Sequence, residues 1–548
     1  MDLSVKKLPI WKYGFSGLLL LSGAVLAGCT NRSDSATERP NIMIIMTDDM
    51  GYSDIGCYGG EIETPNIDKL AHEGVRFTQM YNSARCCPTR ASLLTGHHPQ
   101  QAGIDGMGVN LNMNTPTIAE ILKEEGYHTG MTGKWHLSET QPLEDHDEQL
   151  QWLANRKDHG PFSPLEYYPS NRGFDDHWGV IWGVVNFFDP FSLVHNEEPI
   201  REVPEDFYMT DFITDKSIDL IEDYSQDENP FFLYVAHTAP HWPLHALPED
   251  IKKYEDTYTD GWEVLREERY ERMIEMGLIN RETYPLPENS SGRSWADCDE
   301  KAYESACMAV HAAMIDRVDQ GVGEIIRKLK ETGQYENTII LVLSDNGASY
   351  ERGYPPGFDR PAFTRDSVMI EYGAEEPGPE TTWNYIGDAW ASASNTPFRY
   401  WKMESYEGGI ATPFIVHWPA ALKEQQNTIN SGEAHVMDIL PTCLEIAGAD
   451  YPELANGEET NSPSGKSLLP LLFDEVETLH DTLCWEHQGG RAIRSGRWKM
   501  SALPDESWEL FDISSDKTET TDLSGEHPGK VDELNQAWEN WAGDLNIE

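Results

Sequence analysis

The sequence predicts an α/β fold in which a large parallel sheet is flanked by helices and followed by a small C-terminal antiparallel subdomain. Continuous apolar runs are typical of strands buried on both faces of a sheet. They alternate with capped helical segments, and polar residues follow directly after them, where parallel sheets place ligands. The runs that predict these strands are 41–47, 231–236, 338–343 and 414–417.

Helices are predicted between these strands from their terminal residues. One runs from Thr64 to Gly74 and another from Thr115 to Gly126, each opened by a Thr-Pro pair and closed by Gly. Pro is tolerated in the first helical turn, and Gly often ends a helix. The segment 304–332 has apolar residues at helical spacing and predicts a long amphipathic helix.

Two features interrupt this alternation. Stretches rich in Pro, Gly, aromatic and acidic residues are interpreted as insertions at 138–171, 256–299 and 350–395. From about residue 456 the pattern changes to short alternating segments, so we divide the chain into a main domain at 41–455 and a C-terminal subdomain at 456–548. The subdomain is predicted to contain a linker at 456–466, strands at 482–486, 491–494, 498–501 and 508–511, and a helix at 531–541.

The first 40 residues predict export. Residues 1–28 combine a basic start with an apolar run too short to remain as a membrane span. Small residues at 27 and 28 followed by Cys29 are typical of a bacterial lipoprotein signal, cleaved so that Cys29 is acylated, for example with palmitate; an ordinary signal peptide is the alternative. Residues 29–40 would then tether the protein to the periplasmic or cell-surface face of a membrane.

Composition excludes several classes of protein. The 548 residues carry 94 Asp and Glu against 41 Lys and Arg, a formal charge of -53, which disfavours nucleic acid as a partner. A hydrophobic content of 39% excludes disorder. Eight cysteines in so long a chain do not indicate a disulfide framework; isolated disulfides and small core residues both remain open.

Four oxygen donors follow two of the predicted strands. Asp48 and Asp49 come after the first strand, and Asp345 and Asn346 after the third. Three carboxylates and an amide offer hard ligands that suit Ca²⁺ or Mg²⁺ and not zinc. The alternative is that each pair caps a helix or turn. Because both pairs end buried strands, we predict a metal site.

The segment from Cys86 to Gly96 contains the second chemical signal. Pro88 and the apolar residues behind it predict a helix start, with Pro88 at its first or second position. Cys86 would lie at the positive end of that helix, with Arg90 one turn further on. From the residues alone Cys86 is a candidate thiolate nucleophile, although the local sequence supplies no adjacent base.

This segment resembles the signature of the type I sulfatases, in which Cys-x-Pro-x-Arg is followed by two residues and Leu-Leu-Thr-Gly. The resemblance is arylsulfatase-like and covers nearly all of residues 40–548. It implies the α/β sandwich of the alkaline phosphatase superfamily, with a large mixed, mainly parallel sheet flanked by helices and a smaller C-terminal sheet. It also implies hydrolysis of sulfate monoesters. Cys86 would be oxidised to Cα-formylglycine (3-oxoalanine) by a formylglycine-generating enzyme or maturase.

The resemblance further implies the roles of individual residues. Asp48, Asp49, Asp345 and Asn346 would hold Ca²⁺, with Mg²⁺ the less favoured ion, together with an oxygen of the formylglycine hydrate at position 86. One hydroxyl of this hydrate would attack sulfur and expel the alcohol, and the other would then eliminate sulfate.

The cationic residues have roles implied by the same resemblance. Arg90 would neutralise and orient the nucleophile, and His136 would hydrogen-bond the formylglycine. Lys134 and Lys402 would bind the sulfate. The leaving-group acid is assigned to His241 and not to His237, because the family places this His just before x-Pro. These groups would form a local cationic pocket in an acidic protein.

Aromatic residues in two loops are candidates for binding the organic part of the substrate, and about half of them would instead pack the core. An exported, acid-rich enzyme suits desulfation of a sulfated polysaccharide, such as an algal, ulvan-like polymer, by an exo-acting pocket; an aryl sulfate is the alternative substrate. A phosphate or phosphonate ester hydrolase and a non-catalytic glycan-binding lipoprotein are the alternative functions. The aromatic candidates are Trp178, Trp182, Phe187, Phe188, Phe191, Trp383, Tyr385 and Trp390.

Overall fold

A mixed sheet of eleven strands forms the centre of residues 39–547, the part of the chain that this computed structural model describes. In chain order the strands are β1 (Asn41–Asp48), β2 (Val75–Tyr81), β3 (His128–Lys134), β4 (Asp176–Val180), β5 (Leu193–His195), β6 (Glu198–Pro199), β7 (Phe231–Pro240), β8 (Thr338–Ser344), β9 (Glu371–Tyr372), β10 (Thr382–Trp383), β11 (Ala411–His417), β12 (Thr428–Asn430), β13 (Ala434–His435), β14 (Leu454–Ala455), β15 (Glu458–Glu459), β16 (Thr482–His487), β17 (Gly490–Ser495), β18 (Trp498–Ala502) and β19 (Glu509–Asp512). The helices are α1 (Pro65–His72), α2 (Cys86–Thr95), α3 (Ile118–Glu124), α4 (His146–Leu153), α5 (Met209–Tyr224), α6 (Pro248–Tyr254), α7 (Trp262–Glu275), α8 (Lys301–Glu331), α9 (Gly387–Ser394), α10 (Glu407–Ile410), α11 (Ile439–Ala447), α12 (Leu469–Leu472) and α13 (Pro528–Asp544).

The sheet has the order β12-β2-β11-β8-β1-β7-β3-β4-β5-β6, with β13 also paired to β2. Strand β1 is parallel to both of its neighbours, β7 and β8, and the parallel set continues through β3 and β4. Strand β11 runs antiparallel to β8 and β2, which makes the sheet mixed. The predicted fold class is confirmed, and the four apolar runs are strands of this sheet.

Both faces of the sheet are covered. Alternate residues of β1 point into two different cores: Met43 and Ile45 join one, and Ile42 and Ile44 join the other. Helices α1, α5 and α8 pack on the first face, while α2, α3 and α11 pack on the second. Two-sided burial explains why these strands are continuously apolar in sequence.

Two helix starts differ from prediction. Helix α3 begins after Thr117 and not at the Thr115-Pro116 pair. The Thr117 side chain accepts from the backbone N–H of Glu120, and the Glu120 side chain accepts from the backbone N–H of Thr117, which forms a capping box. Pro88 stands at the third position of α2, and not at the first or second position as predicted. Its missing N–H costs nothing there, since the first-turn donors have no partner within the helix. Helices α1 and α8 are confirmed.

The C-terminal subdomain is a four-stranded antiparallel sheet, β16 to β19, against which α13 packs. All four strands and the closing helix match predicted segments. The linker contacts the main sheet's helices: the backbone N–H groups of Ser464 and Gly465 both donate to the carbonyl of Gly96, which ends α2. The division at residues 455 and 456 stays a prediction, since residues from Arg39 onward form one unit.

The predicted signal peptide, Cys29 and nearly all of the tether lie outside the described residues. Within residues 39–547 no helix is long and apolar enough to cross a membrane. The seven cysteines from Cys57 to Cys484 form no disulfide in the described chain. Six of them are buried core residues, and Cys298 is partly exposed.

Candidate active site

The four predicted metal ligands meet at one edge of the sheet. Asp48 ends β1 and Asp345 follows β8, its parallel neighbour, so the two carboxylates lie side by side. Asp49 has a left-handed backbone, with φ at 69°, and its N–H donates to Oδ1 of Asp345 at 3.2 Å. Asn346 donates from Nδ2 to Oδ1 of Asp49 at 2.7 Å. A strained backbone held in this way is typical of functional sites.

This cluster has the chemistry of a cation site. Oδ1 of Asp48 and Oδ1 of Asn346 are buried and have no hydrogen-bond partner among the described residues. Burial raises the pKa of the Asp48 carboxyl, and the negative charge of Asp345 adds to this effect. Buried oxygens without partners are costly, and a hard divalent cation would satisfy them. The residues present therefore fit Ca²⁺ or Mg²⁺.

Three buried cations surround the carboxylates. Nζ of Lys134 lies 2.7 Å from Oδ2 of Asp48. Nζ of Lys402 lies 2.9 Å from Oδ1 of Asp49. Burial opposes the charged form of Lys402, but the charges of Asp49 and of another carboxylate, Glu351, outweigh it and raise its pKa. The lysines predicted to bind sulfate thus neutralise the carboxylates predicted to bind metal.

Arg90 hydrogen-bonds to the carboxylate cluster and not to the Cys86 thiol. Its Nε and Nη2 donate to Oδ2 of Asp345 at 3.2 and 2.8 Å, and Nη1 donates to the carbonyl of Lys134 at 3.0 Å. A fourth hydrogen bond joins Nη1 to the Tyr234 hydroxyl at 3.3 Å. Arg90 therefore joins the ends of β3 and β8. Burial opposes its charged form, but neighbouring groups that include Tyr234, Asp345 and Cys86 outweigh this and raise its pKa.

Cys86 is the first residue of α2 and is buried beside His136. Its Sγ lies 3.5 Å from Nδ1 of His136. The pKa of Cys86 is well below the usual thiol value because the Cys87 thiol hydrogen-bonds to its sulfur, with the charge of Lys134 adding to this against the effect of burial. Burial lowers the pKa of His136 to about 4, so this imidazole is neutral near pH 7. The charges of Lys134 and Lys402 both act on the Cys86 thiol, and the Cys87 side chain joins the hydrophobic core on the second face of the sheet.

Local backbone geometry holds these two side chains in place. The Thr89 hydroxyl accepts the N–H of Ser83 at 3.0 Å, which ties the loop before Cys86 to the first turn of α2. His136 has a left-handed φ of 59°, and Gly183 lies against its ring. A Cβ at position 183 would come within 2.2 Å of the ring atom Cε1, so this approach requires glycine.

The structure distinguishes His241 from His237. Nε2 of His241 lies 3.5 Å from Oδ2 of Asp49, and Nδ1 lies 2.6 Å from the carbonyl of Trp242. Burial and the charge of Lys402 lower its pKa well below the usual value. His237 lies within β7, and both of its ring nitrogens are buried without partners in the described chain. Only His241 joins the cluster.

Sequence reasoning missed three residues at the border of this cluster. Oε2 of Glu351 lies 3.1 Å from Nζ of Lys402, and Oε1 lies 2.9 Å from Nη2 of Arg85. His487 is the last residue of β16. Burial lowers its pKa to about 4, and Arg85 and Cys86 are close enough to perturb this pKa as well. No motif connects these positions; the adjacency of Arg85 to Cys86 was the only available signal.

The predicted aromatic residues divide into core and site. Phe187 and Trp390 are buried in the core on the first face of the sheet, and Phe191 and Trp383 are buried in a satellite cluster, which confirms that about half of the set packs the interior. Trp182 lies near the site, with its ring centroid 6.4 Å from that of His136. The remaining three are Trp178, which stacks on His195, Phe188, which packs on Tyr208, and Tyr385, which packs on Tyr372.

The site combines the buried carboxylate cluster with three cations, two histidines and the thiol at the start of α2. This arrangement can bind and cleave an anionic ester, so the site defines a hydrolase of anionic esters. A family model described as Sulfatase matches residues 40–449, most of the chain, and the chain therefore belongs to the sulfatase family. It is a sulfuric ester hydrolase, as the signature at Cys86 predicted, and not a non-catalytic binding protein.

The chain is similar over nearly its full length to other sulfatases. It is 32% identical to an uncharacterized sulfatase of Schizosaccharomyces pombe, over 92% of this chain and 93% of that one. It is 32% identical to an arylsulfatase of Klebsiella aerogenes, over 78% and 90%. It is 27% identical to an N-acetylglucosamine-6-O-sulfatase of Bacteroides thetaiotaomicron, over 98% and 92%. The crystal structure of Ps i-CgsB in complex with k-i-k-neocarrahexaose shares the fold, with a TM-score of 0.65, 24% identity and coverage of 93% and 94%.

Proposed function

We propose that this sulfatase removes sulfate from a sulfated polysaccharide or its oligosaccharides, using a formylglycine made from Cys86 and a bound Ca²⁺. One observation carries the proposal. The Cys86 side chain is buried at the N-terminus of α2, in contact with His136, and its ionisation responds to both Lys134 and Lys402. A nucleophile at this position would face a sulfate group held by the two lysines.

The bound groups supply chemistry that the side chains lack. A hard divalent cation neutralises charge on sulfate oxygens and makes a neighbouring hydroxyl more acidic, and an aldehyde hydrate supplies that hydroxyl. Asp48, Asp49, Asp345 and Asn346 would hold the cation, and the two orphaned oxygens described above support this assignment. Converting the Cys86 thiol to an aldehyde would require a separate maturation enzyme in the host.

The remaining residues then have distinct tasks. Lys134 and Lys402 would exchange part of their contact with Asp48 and Asp49 for sulfate oxygens once a cation shares those carboxylates. His136 would orient the nucleophile through Nδ1, the atom that contacts Cys86. His241 would donate a proton to the bridging oxygen as the alcohol departs. Burial and the charge of Lys402 lower its pKa, and the negative charge of a bound sulfate would oppose this effect and favour the protonated imidazole.

A carbohydrate substrate is supported by two relatives. One is named as an N-acetylglucosamine-6-O-sulfatase, and the other is a structure of the same fold in complex with k-i-k-neocarrahexaose. The arylsulfatase relative keeps an aryl ester as the competing substrate. Polar side chains at the border of the site, Glu351, Arg85 and His487, suit the hydroxyl groups of a sugar better than an aryl ring. Lipid anchoring at Cys29 would hold such an enzyme at the membrane where polysaccharide is degraded.

Two experiments test the proposal. Mass spectrometry of the tryptic peptide 86–90, from protein made in a host with a maturation enzyme, should show an aldehyde in place of the Cys86 thiol. Cys86→Ala should abolish turnover, while Cys87→Ala should keep the aldehyde. Turnover of defined sulfated oligosaccharides should exceed that of a simple aryl sulfate and of the matched phosphate esters. Turnover of the aryl or phosphate ester alone would refute the carbohydrate assignment.

A further inference from the structure

The insertion at 256–299 builds a cavity that belongs to no part of the catalytic cluster. Helix α7 forms one wall and the segment 286–293 forms the other, enclosing about 380 Å³. None of the residues that line it is a predicted catalytic or metal-binding residue. They are Glu263, Arg266, Glu267, Leu286, Pro287, Glu288, Asn289, Gly292 and Arg293.

Arg266 is a buried cation without an ionic partner. Its residue is only 3% exposed, and no ion pair joins it to a carboxylate of the described chain, although the charge of Glu263 acts to raise its pKa. Nη1 donates to the carbonyl of Pro287 at 2.9 Å, whereas Nε and Nη2 have no hydrogen-bond partner. These two atoms form the edge of a guanidinium that binds a carboxylate or sulfate through two parallel hydrogen bonds. Burial lowers the pKa of Arg266 to about 10.

Glu263 presents a buried acceptor in the same cavity, one turn earlier on α7. Its Oε1 accepts the N–H of Trp295 at 2.9 Å, but its Oε2 is buried without a donor. Arg293, at the opposite wall, is already engaged by Glu304 and Asp388. Two donors of Arg266 and one acceptor of Glu263 are thus unsatisfied in the wall of the cavity, just behind its open space, and leaving them unsatisfied is costly.

We propose that this cavity is a second carbohydrate-binding site, which takes a sugar unit carrying an oxyanion next to a hydroxyl group. A rotation of the two side chains toward the open space would let Nε and Nη2 of Arg266 pair with the oxyanion and Oε2 of Glu263 accept from the hydroxyl. A bare anion would meet the carboxylate of Glu263, and a neutral sugar would leave the Arg266 charge uncompensated. The oxyanion is either the carboxylate of a uronate or a sulfate ester. The site is independent of turnover, so it does not rest on the proposed function.

Binding should be measured by isothermal titration calorimetry on the full-length protein carrying Cys86→Ala, which prevents turnover. The probes are an unsulfated uronate oligosaccharide and a uronate-free sulfated oligosaccharide, and they distinguish the two sources of the oxyanion. Arg266→Met should weaken the binding of at least one probe by about tenfold or more, because a charged two-point contact is lost. Arg327→Met removes an exposed arginine on α8 and should leave both affinities unchanged.

A second variant keeps the test decisive if Arg266→Met unfolds. Glu263→Gln preserves an acceptor for Trp295 and should weaken the same probe several-fold. In a Cys86-containing protein, both variants should turn over a small sulfate ester at the parental rate, which separates this site from catalysis. The proposal is overturned if neither probe binds the parent, if ordered water alone satisfies Arg266, or if both variants bind the probes as the parent does.

Discussion

Oε2 of Glu351 lies 3.1 Å from Nζ of Lys402, the same ammonium group that contacts Asp49. The Glu351 side chain is 21% exposed, whereas that of Lys402 is 1% exposed. Its other carboxylate oxygen pairs with Arg85. Glu351 is therefore a partly exposed negative charge at the solvent side of the buried cation Lys402.

Glu351→Gln should lower KM for a small anionic sulfate ester. A unit charge at the partly exposed entrance repels the substrate by about 1 kcal/mol, which corresponds to a roughly fivefold change. Inhibition by inorganic sulfate should strengthen by a similar factor. Steady-state kinetics with added sulfate measures both effects. Glu375→Gln, an exposed change in the same insertion, is the control, and a KM that is unchanged or raised in Glu351→Gln would contradict the assignment.

Removing the cation should destabilise the fold as well as the activity. Without a cation, Asp48 and Asn346 keep buried oxygens that lack partners. Ca²⁺ added to chelator-treated protein should raise Tm by several degrees, since a ligand that binds only the folded state stabilises it. Asp48→Asn removes one anionic ligand, so at least tenfold more Ca²⁺ should be needed for the same increase in Tm. Asp158→Asn, at an exposed position, should not, and a larger Tm shift with Mg²⁺ than with Ca²⁺ would refute the ion preference.

His241→Gln should reduce turnover in a manner that depends on the leaving group. A sugar alcohol needs a proton as it departs, whereas nitrophenolate does not, so the loss should be about 10²–10⁴-fold for a sugar sulfate and much smaller for nitrophenyl sulfate. His237→Gln should affect both substrates equally and little, because His237 contacts none of the site groups. Comparing kcat for the two esters measures the difference. Equal losses for both esters in His241→Gln would remove it from the acid role.

The parts of this structure that the sequence predicts are those that local patterns encode. Buried strands produce apolar runs, and the ends of parallel strands gather at one edge of the sheet. The sequence therefore predicts that Asp49 and Asn346 lie together, although 297 positions separate them along the chain. The signature at Cys86 supplied the chemistry. The predicted start of α3 is two residues too early, because Thr115 and Thr117 are both suitable N-caps. Only the capping box with Glu120 selects Thr117.

Other features depend on tertiary contacts that no spacing reveals. Glu351 reaches Lys402 from a loop, and His487 comes from the C-terminal sheet. Arg90 satisfies the sequence motif, but its partners, Asp345 and Tyr234, are set by the strand register. Orphaned atoms such as those of Arg266 likewise appear only after packing, because the same residue in an exposed helix would be solvated.

Lys517 connects the C-terminal segment to the main sheet. Its Nζ donates to Oε1 of Gln79, a residue of β2, at 2.6 Å. Burial lowers its pKa to about 8, and the charge of Arg494 adds to this, while Glu407 and Glu433 oppose it. The ammonium therefore costs free energy in the folded state at neutral pH.

The sign of the resulting pH dependence follows from the two pKa values. Below pH 8 the lysine is protonated in both states, and the folded state bears the full cost. Between pH 8 and 10.5 the folded state releases the proton that the unfolded state keeps, so the free energy of unfolding rises with pH. Lys517→Met should therefore stabilise the protein relative to the parent below pH 8, and this advantage should shrink by about 3 kcal/mol as the pH approaches 10.5. Urea unfolding at several pH values measures it, and parallel curves for Lys517→Met and the exposed control Lys423→Met would show that Lys517 carries no such cost.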